Sequence, residues 1–280
     1  MRTIIYPIYL GRFLMSLSLD LSAAADENLI VHATAVTARL VGAYISVEPD
    51  LVLADSGLAC DTFNFVCRAR LTPSTAARRA AEAVSHFRAA GRPFSWWLGP
   101  GYSPGSLSQI LRDQGLFEAE SEVAMALDLT ELQPSPPDVE GLTIHRVRTE
   151  EDLQTYAALS AANWNPPDPH VLQYYVLAAP VLLHASAPQW LYLGRVRGEA
   201  VATADATFGG GVVGLYNITT RPAFRRRGIG LAMTRAPLIE ARAAGWSRGI
   251  LQAAAGGVGV YQRAGFRPFG TVTEFKPAAG

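Results

Sequence analysis

Tyr216 to Met233 reads YNITTRPAFRRRGIGLAM, a β-branched, apolar strand that runs into a basic, glycine-spaced turn and then into a helix. Gly228 and Gly230 have no Cβ, so such a turn can present its backbone N–H groups to an anion. The N-terminus of the following helix adds roughly half a positive charge. Arg225, Arg226 and Arg227 add formal charge beside it. Together these make a diphosphate cradle in outline, although an R-x-x-G-x-G spacing alone arises readily in any exposed basic turn. Beyond the turn, Ile229, Ala232, Met233, Ala236, Ile239 and Ala243 recur at helical spacing and Gly245 offers the stop. Pro237 inside that pattern predicts a bend.

Upstream, LTIHRV reads as a strand, Glu150 to Trp164 as a helix, and Pro166 to Pro169 as a breaker before a second helix through Tyr174 and Tyr175. WLYLGRV, AVATADATF and VVGLYNIT follow as an antiparallel meander, separated by Gly198 and by the glycine run 209–211. Downstream, RGILQAA is a strand, the stretch to Arg263 a short helix, and the region around Phe269 and Val272 two strands. LQPSPPDVEG, Leu132 to Gly141, reads as a linker. It divides the chain into an extension at 1–14, an N-terminal domain at 15–131 and a C-terminal domain at 142–280.

The N-terminal half shows a weaker copy of the same order. TFNFVCRA, Pro73 to Ala90, FSWWLG, Ser106 to Asp113 and EVAMALDL alternate strand and helix. Its strand-to-helix turn, ARLTPSTAARR, contains no glycine, so a diphosphate could not approach that backbone as closely. Trp96 and Trp97 read as core residues.

Composition narrows the functional classes. With 24 Lys plus Arg against 24 Asp plus Glu in 280 residues, no overall field gathers polyanions, which argues against nucleic acid as a partner. Cys60 and Cys67 form no CxxC pair and stand near no clustered His, which points to buried small side chains and to no metal. The apolar N-terminus is interrupted by Pro7, Gly11 and Arg12 and is too short to span a bilayer, so neither a signal peptide nor a membrane partner is expected. The compartment reads as cytoplasmic. Met15, before the helix-like run from Leu21 to Leu40, is an alternative start to Met1.

The second half of the pattern is GVYQRAGF, Gly259 to Phe266, at the distance one helix and one strand require. RRRGIG and YQRAGF, in that order and context, make residues 142–275 resemble the GNAT (GCN5-related) N-acetyltransferases. The whole chain is similar to tandem members of that family with a degenerate N-terminal copy. The resemblance implies an α/β (α+β) chain of two GNAT-like domains, each a mixed, mostly antiparallel twisted sheet flanked by helices. It implies acetyl-CoA as acyl donor, with its pantetheine arm between two splayed strands, Val212 to Thr219 and Arg248 to Ala254. Ile218, Thr219 and Thr220 would hold the arm, and Arg225, Arg226, Arg227, Gly228, Ile229, Gly230 and Leu231 the diphosphate.

By the same resemblance Tyr261 stands at the position of the general acid, and a phenol with an ordinary pKa of about 10 can protonate a departing thiolate. A carboxylate common on the strand occupied by Leu215 to Ile218 is replaced here by Tyr216 and Asn217. Asp205 in the preceding strand is the nearest acidic candidate for the base, with an exposed strand residue as its plainer reading. His145, His170 and His184 are isolated in sequence and read as structural. Two departures from the family stand out: AAGG, Ala254 to Gly257, replaces a polar segment, and Leu111 occupies the N-terminal equivalent of Tyr261. The segment NWNPPDPHVLQYY places Trp164, Tyr174 and Tyr175 on the acceptor wall, with Asn217 beside them.

The expectation is acetyl transfer to a primary amine of a small molecule by direct attack in a ternary complex, in a monomer or homodimer. Two alternatives stand beside it. One is a non-catalytic acyl-CoA-binding module, and the other a GNAT-fold enzyme of a different reaction such as acyl-CoA decarboxylation.

Overall fold

A computed structural model of the chain describes residues 19–135 and 138–278. The extension at 1–14, the alternative start at Met15 and two prolines of the expected linker, Pro136 and Pro137, lie outside the described residues. The N-terminal half contains α1 (Leu21–Thr34), β1 (Tyr44–Val47), β2 (Val52–Asp55), β3 (Phe65–Cys67), α2 (Ala76–Ala90), β4 (Ser95–Leu98), α3 (Leu107–Asp113) and β5 (Leu116–Asp128). The C-terminal half continues with β6 (Leu142–Arg146), α4 (Glu150–Ala161), α5 (Pro169–Leu182), β7 (Gln189–Val196), β8 (Glu199–Gly209) and β9 (Val212–Thr220). It ends with α6 (Ile229–Ala243), β10 (Arg248–Ala253), α7 (Val258–Ala264) and β11 (Arg267–Pro277). No helix among the described residues is long and apolar enough to cross a membrane.

The strands form one sheet in the order β1-β2-β3-β4-β11-β5-β10-β9-β8-β7-β6. It is mixed and mostly antiparallel, with parallel pairing between β3 and β4 and between β9 and β10. The expected α/β class of two similar halves holds. Their junction is a reciprocal strand exchange: β5 lies between β10 and β11, and β11 lies between β4 and β5. Each half therefore completes its hydrogen-bond ladder with the last strand of the other, which leaves no free edge at the join.

Alternation along β9 decides what lies on each face. Val213 and Leu215 enter the apolar cluster beneath α6, whereas Val212, Gly214 and Tyr216 meet α1 from the N-terminal half. Asp20 caps α1 by accepting from the amides of Ser22 and Ala23, at 2.9 and 3.2 Å. Asn28 on this helix is fully buried, and its Nδ2 is shared among the carbonyls of Thr207, Gly209 and Val212 at 3.0 to 3.2 Å. Its Oδ1 accepts from the Tyr216 hydroxyl at 2.8 Å. The glycines beneath have no room for a side chain: a Cβ at Gly214 would collide with Asn28 Oδ1, and one at Gly210 would stand 2.5 Å from Ala24 O. The run 209–211, legible in sequence as a turn, thus also seats a helix.

Several local readings need correction. The helix expected to reach Trp164 ends at Ala161. The two strands expected around Phe269 and Val272 are one, β11, with an irregularity between Pro268 and Gly270. β1 and β2 had no sequence signal. β2 is buried at all four residues and β1 at none, so neither shows the alternation that marks a half-buried strand.

Candidate functional site

β9 and β10 pair only where Gly249 to Leu251 face Val213 to Leu215, although both strands run further. Beyond Leu215 they part. On its other side β9 carries a bulge: Thr203 faces Thr219 and Asp205 faces Tyr216, so two steps along β8 span three along β9. Asn217 occupies the extra position with φ 50°, a left-handed conformation that Asn tolerates better than most residues. Thr203, fully buried, donates from Oγ1 to Asn217 O at 2.9 Å and holds the bulge in place.

Two cavities are lined by consecutive residues of β9 at this gap. The larger, of about 890 Å³, is lined by Ile218, Thr219, Thr220, Arg225, Arg226, Gly228, Ile229, Gly230, Leu231 and Tyr261. Nearly all the residues assigned from sequence to the donor are together here. Gly228 is the N-cap of α6 with φ 84°, and a Cβ on it would stand 3.3 Å from Val139 Cγ2. The first-turn amides of α6 have no intrahelical acceptor, and a Cβ on Gly230 would meet Val260 Cγ1 at 4.0 Å. Such a cradle fits the diphosphate of an acyl-CoA. Arg225 is tied back by its Nε to Thr220 O at 2.9 Å. Arg227 is outside the lining, its guanidinium stacked 5.3 Å from the Phe224 ring centre.

The second cavity, of about 370 Å³, is lined by Asp205, Asn217, Trp164, Tyr174 and Tyr175 among others. The residues assigned to the acceptor and its base are therefore also brought together. Tyr174 and Tyr175 are almost fully buried, and the Tyr174 ring stacks on Phe63 with centroids 3.5 Å apart. Asp205 is 1% exposed, which corrects the plainer reading of an exposed strand residue. Burial pushes its carboxyl up to about 7, against the lowering effect of the hydrogen bond Asn217 Nδ2 donates to its Oδ2 at 2.6 Å. Its Oδ1 has no hydrogen-bond partner.

Tyr261 projects from α7 into the larger cavity. Burial, with the charge of Glu122 added, pushes its phenol up to about 12, so it keeps its proton at neutral pH. Gly257, in the AAGG segment, makes room for the ring: a Cβ there would stand 3.0 Å from Tyr261 Cε2. In the N-terminal half, Leu111 is fully buried in that half's own core.

Sequence reading missed what the N-terminal half supplies. His32 from α1, Trp97 from β4, and Glu120 and Glu122 from β5 all line the smaller cavity. Trp96 is fully buried, as expected, and Trp97 packs against the buried cluster of Leu29, Ile30, Val52 and Cys67 while also lining this cavity. His32 is held neutral, its pKa pushed down to about 3 by burial. Its Nδ1 accepts from Gln189 Nε2 at 3.3 Å and lies 4.0 Å from Asp205 Oδ1. Nothing in the spacing of His32 or Glu122 marks them, because strand exchange and helix docking bring them to β9.

Sequence comparison finds no matching family model and no matching curated protein. Comparison of the fold is more informative. A GCN5-related N-acetyltransferase from Kribbella flavida superimposes with a TM-score of 0.71 at 19% identity, over 95% of this chain and 98% of that one. A tandem GNAT protein from the clavulanic acid biosynthesis pathway gives 0.58 at 15% identity, over 94% of each chain. A GCN5-related N-acetyltransferase from Sphaerobacter thermophilus gives 0.57 at 17% identity, over 82% and 81%. The chain has the GCN5-related N-acetyltransferase fold, in its tandem arrangement.

Proposed function

We propose that this protein is an acyl-CoA-dependent N-acyltransferase that transfers an acetyl group to a primary amine of a small molecule. The observation that carries the reading is the adjacency of the two cavities along β9. Residues 215–217 line the smaller one and 218–220 the larger, where β9 parts from β10. Asp205 stands on one side of that junction and Tyr261 on the other.

Acetyl-CoA, seated with its diphosphate at the α6 N-terminus and its arm along Ile218 to Thr220, supplies an activated thioester carbonyl. The residues of the chain do the rest. Asp205, ionised in part near neutral pH, accepts a proton from the acceptor ammonium and leaves the amine its lone pair. As the C–N bond forms and the C–S bond breaks, the Tyr261 hydroxyl gives its proton to the thiolate sulfur; the proton held by Asp205 passes to solvent, and the second proton that the nitrogen loses on becoming an amide returns through solvent to the Tyr261 phenolate. Asn217 keeps Asp205 oriented through Oδ2, so that Oδ1 is left for the acceptor. Tyr174, Tyr175 and Leu215, all nearly fully buried, add apolar surface to the lining of the smaller cavity. No enzyme nucleophile is needed, and Cys60 and Cys67, both buried with thiols pushed up to about 12, are poor candidates for one.

The test is CoA release from acetyl-CoA with and without a panel of primary amines, followed by mass analysis of the amines. Amine-dependent release with a matching acetyl mass shift supports the transferase. Amine-independent release indicates another reaction such as decarboxylation, and binding without release indicates a binding module.

A further inference from the structure

The smaller cavity is lined by five carboxylates, Asp61, Glu120, Glu122, Asp205 and Glu274, and by a single ammonium, Lys276. Lys276 Nζ is held by Asp61 Oδ2 at 2.9 Å and Glu274 Oε1 at 3.2 Å, and Ser95 Oγ donates to the same Glu274 oxygen at 2.6 Å. That leaves Glu120 and Glu122, two residues apart on one face of β5, without an ion-pair partner among the described residues. His32 adds no positive charge, being neutral.

A second, independent observation points to a ligand. Asp205 lines the same cavity, its side chain is 2% exposed, and its Oδ1 makes no hydrogen bond, the fully buried Tyr156 hydroxyl beside it being likewise without a partner. A buried carboxylate oxygen without a donor is uncommon in folded proteins, and a ligand N–H would satisfy it. The cavity thus holds two separate demands for positive charge, one at Asp205 on β8 and one at Glu120 and Glu122 on β5. Between β5 and β8 in the sheet stand β10 and β9, which bring Gln252, Leu215, Tyr216 and Asn217 to the lining, groups without charge that suit an uncharged spacer.

Resting on the acyltransferase reading, we infer that the acceptor is a compact amine with two cationic groups, the reacting amine at Asp205 and the second held by Glu120 and Glu122. Burial and the neighbouring charges of Glu120 and Glu274 oppose ionisation of Glu122, and a cation seated there relieves that repulsion. The N-terminal half then acts as the specificity element, since β5 reaches the site only through the strand exchange.

Putrescine and butylamine form a matched pair of probes, differing in the second ammonium. With acetyl-CoA, the wild-type protein is expected to prefer putrescine by about tenfold or more in kcat/KM, the scale of one desolvated charge contact. In the double variant Glu120→Gln, Glu122→Gln the putrescine KM rises and the preference collapses, with kcat for putrescine little changed. Calorimetric titration of the wild-type protein with each amine in the presence of CoA reads the same selectivity without turnover and without a variant. Equal binding of the two amines overturns the inference, as does putrescine binding that a folded double variant leaves unaltered. If no amine is acetylated, the acyltransferase reading fails, and the calorimetric comparison still decides this one.

Discussion

The imidazole of His32 lies flat on the phenol ring of Tyr216, with centroids 3.8 Å apart and planes 12° from parallel. The stack joins α1 of one half to β9 of the other at the wall of the smaller cavity. Its Nδ1 lies 3.0 Å from Thr207 Oγ1 and 3.3 Å from Gln189 Nε2, and burial holds the ring neutral, so the mechanism assigns it to propping Tyr216 and leaves the proton transfer to Asp205.

This division between His32 and Asp205 is measurable. Asp205→Asn keeps the shape and the contact with Asn217 and should lower kcat by roughly 10²- to 10⁴-fold, the range for a lost general base. His32→Phe keeps a ring to stack and should lower kcat by less than about tenfold. The reverse ranking in steady-state kinetics would make His32 the base.

Ionisation of Asp205 also leaves a mark on stability. Its carboxyl is raised from the ordinary 3.8 to about 7, so the folded state binds a proton the unfolded state has released. That contribution is fully present below about pH 4 and is lost as pH rises through about 7. Melting curves of wild type and Asp205→Asn should therefore diverge in that window, with the variant gaining relative stability towards alkaline pH. Glu122, raised to about 7, and His32, lowered to about 3, act alike in both proteins, so the comparison cancels them. A constant difference in melting temperature across the window would refute the shift. In the same range kcat/KM of the wild type should rise with pH.

Tyr261→Phe retains the ring packed above Gly257 and removes the proton donor. A drop of roughly 10- to 1,000-fold in kcat is expected, with acetyl-CoA affinity little altered, because the lost interaction belongs to the transition state. Unchanged kcat would reduce Tyr261 to a packing residue. Leu111→Tyr in the N-terminal copy should add no activity, since that site is closed by its own core.

Gly228→Val forces a β-branched residue into a left-handed conformation and sets its Cβ against Val139. CoA binding should weaken by about tenfold or more, exceeding the effect of Arg227→Ala, whose guanidinium lies outside the cavity. Calorimetry on folded variants makes the comparison, and equal affinities would remove the cradle from the mechanism.

Asn28→Leu removes the amide shared by three carbonyls and leaves the Tyr216 hydroxyl without its acceptor. A loss of about 1–3 kcal/mol in unfolding free energy is expected, with weakened acceptor binding as α1 loosens from β9. Denaturant titration checks the first and amine KM the second.

The sequence by itself determined what depends on near neighbours in the chain. The basic turn Arg225 to Gly230 is local, since glycines free of Cβ and the start of a helix fall within six residues and make the cradle wherever the rest of the chain goes. Tyr261 is legible because YQRAGF follows one helix and one strand later, and the three-strand meander because β-branched runs and glycine turns alternate. What only the tertiary structure decided is the acceptor side. His32, Trp97, Glu120 and Glu122 are distant in sequence from β9, and reach it because each half closes its hydrogen-bond ladder with the other's last strand while α1 fills the glycine-lined face beside it. Burial of Asp205, which sets its protonation, comes from that same long-range packing, and no local pattern of residues encodes it.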